Sequence, residues 1–154
     1  MIHTYFRLGL HDPTSRALTD HIGLLRTAYA RGLQERPFQT LAITVLPNEL
    51  HALWALPDAD PELPLRVGRL KSRFGHALVR ATGQRDDRLW RRGIAEHRIR
   101  DETDLALHLR YVAEAPLRAG LVQNPLDWPY SSFAKRAGAK PQPPEQSQEQ
   151  SQAA

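Results

Sequence analysis

Three groups of side chains in this sequence have types and spacings that chemistry can use. In LPNELHALWALP, residues 46–57, Glu49 and His51 flank Leu50, and strand geometry puts both on one face. A carboxylate beside an imidazole is either half of a divalent-metal site or the wet side of an ordinary strand. In ETDLALHLRYVAEA, helical spacing makes Leu105, Leu109 and Val112 a core stripe. Tyr111 lies about 120° from that stripe, on a flank shared with Asp104, His108 and Ala115. A tyrosine there either packs its ring and wets its hydroxyl, or offers a nucleophilic oxygen. The third group is a helix over 65–81, where Arg66, Arg69, Arg73, His76 and Arg80 form a basic stripe free of carboxylates. Such a stripe is either a solvated face or a seat for a polyanion, and RLWRRG adds Arg88, Arg91 and Arg92 soon after it. Together these are the parts of a metal-assisted phosphoryl transfer: an attacking hydroxyl, donors for a hard cation, and guanidinium groups for the phosphates.

The elements that must position them can be read from periodicity. TYFRLGL (4–10) has strand character and ends in the turn cluster HDPTS. From Thr19, the recurrence of Ile22, Leu25, Tyr29 and Leu33 marks a helix that Pro37 closes. FQTLAITVL (38–46) follows as a strand with Leu41, Ile43 and Val45 on one face. Pro47 and Asn48 turn it into ELHALWAL, whose Leu50, Ala52, Trp54 and Leu56 face opposite to Glu49 and His51. Helix 65–81 carries Val67, Leu70, Phe74, Ala77 and Ala81 on its apolar side. A short strand is expected around Ile94–Ile99, then a helix capped by Asp101 that stops near Ala115, ahead of Pro116. The order strand, helix, two strands, helix, strand, helix suits an α+β domain: an antiparallel sheet with helices on one side. Residues 1–136 are expected to form this single domain. The stretch 137–154, rich in Pro, Gln and Ser without apolar periodicity, is expected to be a disordered polar tail.

Composition narrows the chemistry. There is no cysteine, which excludes disulfides, thiolate zinc sites and cysteine nucleophiles. The formal charge of +4, carried mostly by arginine, is compatible with a polyanionic partner. No apolar run is long enough to span a bilayer, and MIHTYFRLGLHD lacks the pattern of a secretory signal, so a cytoplasmic protein is expected. His97 in EHRIR reads as a structural hydrogen-bonding residue, and Trp54 and Trp128 as packing anchors.

YFRL, HIGLLRTA, RPFQTLAITVLPNELHALWALP, LKSRFGHAL, LWRRGIAEHRIRDETDLALHLRYV and PLRAGLVQNPLDWPYSSF, in that order, resemble the REP-associated tyrosine transposases. These form a single-tyrosine branch of the HUH (His-hydrophobic-His) nucleases, within the IS200-like transposases. The resemblance runs from about Tyr5 to Phe133 and is closest in EHRIRDETDL and NPLDWPYSSF. It implies a ferredoxin-like antiparallel sheet with packed helices, and cleavage and joining of single-stranded DNA near hairpins formed by palindromic repeats. It also implies a tyrosine that becomes linked to a 5′-phosphate, and Mg²⁺ or Mn²⁺ held by the strand histidines and a polar residue one turn past the tyrosine. Tyr111 matches the nucleophile and His51 the second strand histidine. No small-molecule cofactor or membrane partner is implied, and a monomer is expected.

This sequence departs from the pattern where the metal would sit. The first strand histidine is Glu49, the ligand after the tyrosine is Ala115, and the histidine two after it is Ala113. A carboxylate suits a hard cation, whereas a methyl group coordinates nothing. The expected site is therefore Tyr111 as nucleophile, with His51 and Glu49 as metal ligands. Arg66, Arg69, Arg73, Arg80, Arg91 and Arg92 are the expected DNA contacts. The alternatives are a transposase-derived DNA-binding protein that no longer cleaves, and a fold without DNA function. Salt-dependent DNA affinity separates the last from the other two.

Overall fold

The computed structural model describes residues 1–135, so the expected tail 137–154 and the boundary before it lie outside the described residues. Strand β1, Ile2–Gly9, ends where the Thr14 amide and hydroxyl both donate to Asp12 Oδ1. Two helices follow, α1 (Ala17–Asp20) and α2 (Ile22–Glu35), and α2 gives way before Pro37. β2 (Gln39–Val45) and β3 (Glu49–Leu56) form the expected hairpin, its turn closed by the Glu49 carbonyl accepting from Leu46 N–H at 2.7 Å. α3 (Leu63–Thr82) leads through a loop to β4 (Ala95–Arg98). α4 (Glu102–Ala113) starts where Asp101 Oδ1 accepts from the Asp104 amide at 2.8 Å. Glu114 interrupts the helix, and α5 (Ala115–Arg118) restarts it with Pro116 in its first turn. A 3₁₀ turn, Pro125–Asp127, completes the described chain.

The four strands pair antiparallel in the order β2-β3-β1-β4, which makes β1 and β3 the central strands. This is the ferredoxin-like order. Strand alternation sends Phe6, Leu8, Leu50, Ala52, Trp54 and Leu56 to one face. There they meet Leu25 and Ala28 of α2 and Val67, Leu70 and Phe74 of α3. Trp54 anchors this core: its ring stacks on Phe38 at 3.8 Å and meets Phe6 edge-on at 4.6 Å, while Nε1–H donates to Tyr29 Oη.

Three expectations need correction. Helices cover both faces of the sheet, not one: α4 lies opposite α2 and α3, with Val112 seated on Tyr5, Ala42 and Leu53. The face of β3 bearing Glu49 and His51 also bears Leu53 and Ala55, and those two are buried as completely as the core face. Second, Leu41 does not share a face with Ile43 and Val45. A β-bulge between Thr40 and Ala42 turns Leu41 towards α4, while Ile43 and Val45 pack with the main core. Third, the basic stripe of α3 is broken at Arg66. This residue is 6% exposed, and its guanidinium donates to the Asp60 carboxylate and the Arg36 carbonyl. Among the described residues no helix is long and apolar enough to cross a membrane.

Trp54→Ala is expected to destabilise the protein by about 3–5 kcal/mol, since it leaves a large cavity at the centre of three aromatic contacts. Denaturant unfolding followed by far-UV dichroism checks this. A loss below about 1 kcal/mol contradicts the anchoring role.

Candidate active site

The face of the sheet under α4 brings together residues far apart in sequence. On β3, Glu49 and His51 point to this face, and β1 lies beside them with Gly9 opposite Glu49 and Arg7 opposite His51. Gly9 leaves room that a side chain would take, for a Cβ there would stand 2.9 Å from the Arg91 guanidinium. Arg91 uses that room to approach Glu49, Nη1 to Oε2 at 3.9 Å. His51 is buried, with Nε2 3.3 Å from Glu49 Oε1 and Nδ1 2.9 Å from Tyr5 Oη. Tyr111, from the last turn of α4, meets the His51 ring at 6.0 Å and the Tyr5 ring edge-on at 5.8 Å. It is 40% exposed. Arg118 of α5 folds back over it, guanidinium carbon 3.6 Å from the ring centre, and its Nη2 donates to the Tyr111 carbonyl at 2.6 Å.

Burial dominates the electrostatics here. It lowers the His51 pKa, Glu49 works against that, and the nearby charges of Arg118 and Arg7 add to the lowering. The imidazole is thus kept neutral, with a lone pair to offer. Burial, helped by Tyr111, pushes the Tyr5 hydroxyl up to about 12, so it stays a neutral hydrogen-bonding group. That hydroxyl can pair with either tautomer of His51, as donor to Nδ1 with Nε2–H turned to Glu49, or as acceptor from Nδ1–H. When Nδ1–H donates to Tyr5 Oη, Nε2 faces Glu49 with its lone pair exposed, the arrangement a ligand needs.

A second polar cluster borders the same cleft. Asp104, buried in the first turn of α4, accepts from His97 Nε2–H of β4 at 2.8 Å and from the Arg100 amide at 2.9 Å. His108 Nδ1 donates to the Asp104 carbonyl at 2.9 Å and lies 3.1 Å from its Oδ1. The hydrogen bond from His97 is the main reason the Asp104 carboxyl is held down to about 2. His97 thus has the structural hydrogen-bonding role expected of it, and the cluster ties the start of α4 to the sheet edge.

The donor sets differ in their fitness for a cation. Glu49 Oε1 and His51 Nε2, 3.3 Å apart, stand as adjacent ligands of one ion do at bond lengths of about 2.1 Å. Ala115 is buried and adds no donor, so the remaining positions would fall to water and substrate oxygens, an arrangement Mg²⁺ commonly accepts. His97, Asp104 and His108 are also close enough to share an ion. Their imidazoles, however, stack at 4.5 Å with 11° between planes, so the in-plane lone pairs do not converge unless a ring turns. Glu49 and His51 thus offer two donors to one ion, and His97, Asp104 and His108 offer three.

Of the arginines named from the sequence, Arg91 borders the site, and Arg92, next in the chain, is exposed. Arg69 and Arg80 are exposed on α3, across the sheet from Tyr111. Arg73 is bound to the Glu35 carboxylate and Arg66 to Asp60, so both guanidiniums are already engaged. Sequence reasoning missed Tyr5, Arg7 and Arg118. Alternation along β1 puts Tyr5 and Arg7 on one face, which is a readable signal. Arg118 gives none, because the break at Glu114 interrupts the helical phase that would relate it to Tyr111.

No family model matches the chain. Among curated proteins, the REP-associated tyrosine transposase of Escherichia coli is 33% identical over 129 residues, 84% of this chain and 74% of its own. A Haemophilus influenzae protein assigned to the same family is 38% identical over 144 residues, 88% of this chain and 82% of its own. A solved REP-associated tyrosine transposase bound to a REP hairpin superposes with a TM-score of 0.80 at 32% identity, covering 86% of this chain and 76% of that one. A Deinococcus radiodurans crystal structure at 17% identity and a TM-score of 0.51 shares the fold.

Asp104→Asn is expected to lower stability at neutral pH. The folded-state carboxyl titrates below its unfolded value, so its contribution is present above about pH 4 and fades as pH falls towards about 2. The gap between the parent protein and Asp104→Asn should therefore narrow over that window in pH-resolved denaturant titrations. A gap that widens on acidification contradicts the assignment.

Proposed function

Since the chain belongs to the REP-associated tyrosine transposases, we propose that it binds hairpin-forming single-stranded DNA and cleaves and rejoins it through Tyr111. The observation that supports this most is the approach of the Tyr111 ring to His51 at 6.0 Å, with Glu49 3.3 Å from His51 Nε2, from α4 and β3. In the cleavage step Tyr111 Oη forms a bond to phosphorus and the bond from phosphorus to the 3′ oxygen breaks. The 5′-phosphate stays on the tyrosine, and the 3′ oxygen leaves as a hydroxyl. The phenol proton passes to water in the cleft, and the reverse attack by a 3′-hydroxyl joins strands.

His51 Nε2 and a Glu49 oxygen would hold the divalent ion, Mg²⁺ or Mn²⁺, with Tyr5 fixing the His51 ring. Bound there, such an ion supplies charge stabilisation to the phosphoryl oxygens and the departing oxygen. Glu49 brings a negative charge, which the neighbouring Arg91 offsets in part. Arg118 holds the Tyr111 ring from behind and limits its swing. Arg91 and Arg92 would contact the strand near the site, and the exposed Arg69 and Arg80 of α3 would contact DNA only on the opposite face of the sheet. Phosphate contacts of this kind position the DNA without reading its sequence. A protein acting on DNA in this way works in the cytoplasm, and the site as built needs one copy of the chain.

Two measurements test the reading. Labelled single strands carrying hairpin repeats, mixed with protein and Mn²⁺ or Mg²⁺, should give a covalent adduct on a denaturing gel. The adduct should vanish with Tyr111→Phe and with metal chelation. Tight, salt-sensitive binding without adduct or cut product would identify a DNA-binding protein that no longer cleaves. In addition, Tyr5→Phe should weaken Mn²⁺ binding, measured by calorimetry, by roughly tenfold or more through loss of the hydrogen bond that orients His51. Unchanged affinity would remove His51 Nε2 from the ligand set.

A further inference from the structure

We propose that Arg7 seats the DNA backbone at the nucleophile, its guanidinium gripping the non-bridging oxygens of the phosphodiester at, or directly beside, the point of attack. The proposal rests on the reading of Tyr111 as the attacking residue.

Arg7 lies in the middle of β1, a central strand, on the face covered by α4. His51 is its neighbour on one side and Ala95 on the other, so a small side chain leaves the space above it open. It borders the cleft that Tyr5, His97, His108 and Tyr111 also line. A guanidinium half-buried in the middle of a sheet ordinarily has a counter-charge. Arg36 and Arg66 share Asp60, Arg73 has Glu35, and Arg91 approaches Glu49. Among the described residues, no carboxylate lies within 4.0 Å of Arg7 and no acceptor is hydrogen-bonded to it. Glu96, the carboxylate at the cleft rim, sits opposite Phe6 in the β1–β4 register, so alternation turns it to the other face. A partly desolvated cation without a partner costs stability unless a ligand brings the anion. Its charge is already felt by both Tyr5 and His51.

The chemistry of that anion follows from the fork. Two parallel N–H groups match the two non-bridging oxygens of a phosphodiester, which carries the single negative charge the cation lacks. Arg7 and Tyr111 line the same cleft and Arg118 lies against the Tyr111 ring, so a phosphate held by Arg7 would sit in the cleft that Tyr111 borders. The competing role for Arg7 is general charge balance for Glu49, which would not depend on any one phosphate.

The test uses the full chain with Tyr111→Phe, so that binding is measured without turnover. A hairpin-bearing strand is prepared with a single uncharged methylphosphonate placed at each position in turn. Arg7→Gln should weaken binding of the unmodified strand by roughly tenfold. That loss should disappear when the methylphosphonate occupies one position, coinciding with or adjoining the cut mapped with the Tyr111 protein. Arg7→Lys, which keeps the charge without the fork, should fall between. A loss that is the same for every methylphosphonate position, or no loss at all, overturns the proposal. If the Tyr111 protein forms no adduct, the cleavage reading fails by itself, and a coupling confined to one phosphate would still establish Arg7 as a backbone seat.

Discussion

The site exists because α4 is seated in one rotational setting on the second face of the sheet. A helix advances about 100° per residue, so a small rotation would carry Tyr111 away from His51. The seat is small, consisting of Val112 on Tyr5, Ala42 and Leu53, with Leu105 and Leu109 at its margin. Apolar contact on such a patch resists rotation weakly, and polar contacts supply the rest. Near the C-terminal end of α4, Thr44 Oγ1 of β2 donates to the Val112 carbonyl at 2.8 Å. At the N-terminal end, the Asp104 carboxylate is tied to His97 of β4. Held at both ends, the helix has little freedom to turn. The Asp104 carboxylate therefore bears on the setting of Tyr111, seven residues along the helix, with no hydrogen bond to it among the described residues.

The same seating explains how strong charges are tolerated on a covered face. α4 covers only part of the sheet: it buries Leu53 and His51 but leaves Tyr111 and the floor around Arg7 open. Where cover is complete, the polar group is neutral or bonded. His51 is kept uncharged by burial, and the Tyr5 hydroxyl is kept protonated. Charged groups stand at the margins, Glu49 with Arg91 on one side, Arg7 and Arg118 on the other. Glu49 brings a negative charge to the proposed donor pair with His51, and the buried Ala115 adds no donor. The surrounding guanidiniums shift the balance of the cleft back towards an anionic substrate.

Much of this architecture was legible in the sequence because its signals are local. The Glu49–Leu56 hairpin followed from alternation and a two-residue turn, the start of α4 from Asp101, and its interruption from Pro116. What was not legible depends on distant partners. Arg66 has the periodicity of a solvated stripe, yet Asp60 and the Arg36 carbonyl draw it inward, and nothing in the spacing of α3 announces them. The bulge between Thr40 and Ala42 shifts Leu41 by one position, a change that pairing decides and composition does not. The second helical layer was hidden by Glu49 and His51, which made that face of β3 look wet. Leu53 and Ala55 on the same face carried the contrary signal.

A face that begins polar and ends apolar is compatible with a helix covering one end only, so the junction is where a charged group can be both shielded and reachable. His51 lies at that junction, with Glu49 towards the open end and Leu53 towards the closed one. A metal ligand needs such a place: fully exposed, its lone pair competes with water, and fully buried, it meets no substrate. The same rule holds along α4, with Val112 sealed against the sheet and Tyr111, the proposed nucleophile one residue earlier, 40% exposed. The boundary between covered and open sheet is thus where the proposed ligand His51 and the proposed nucleophile Tyr111 meet.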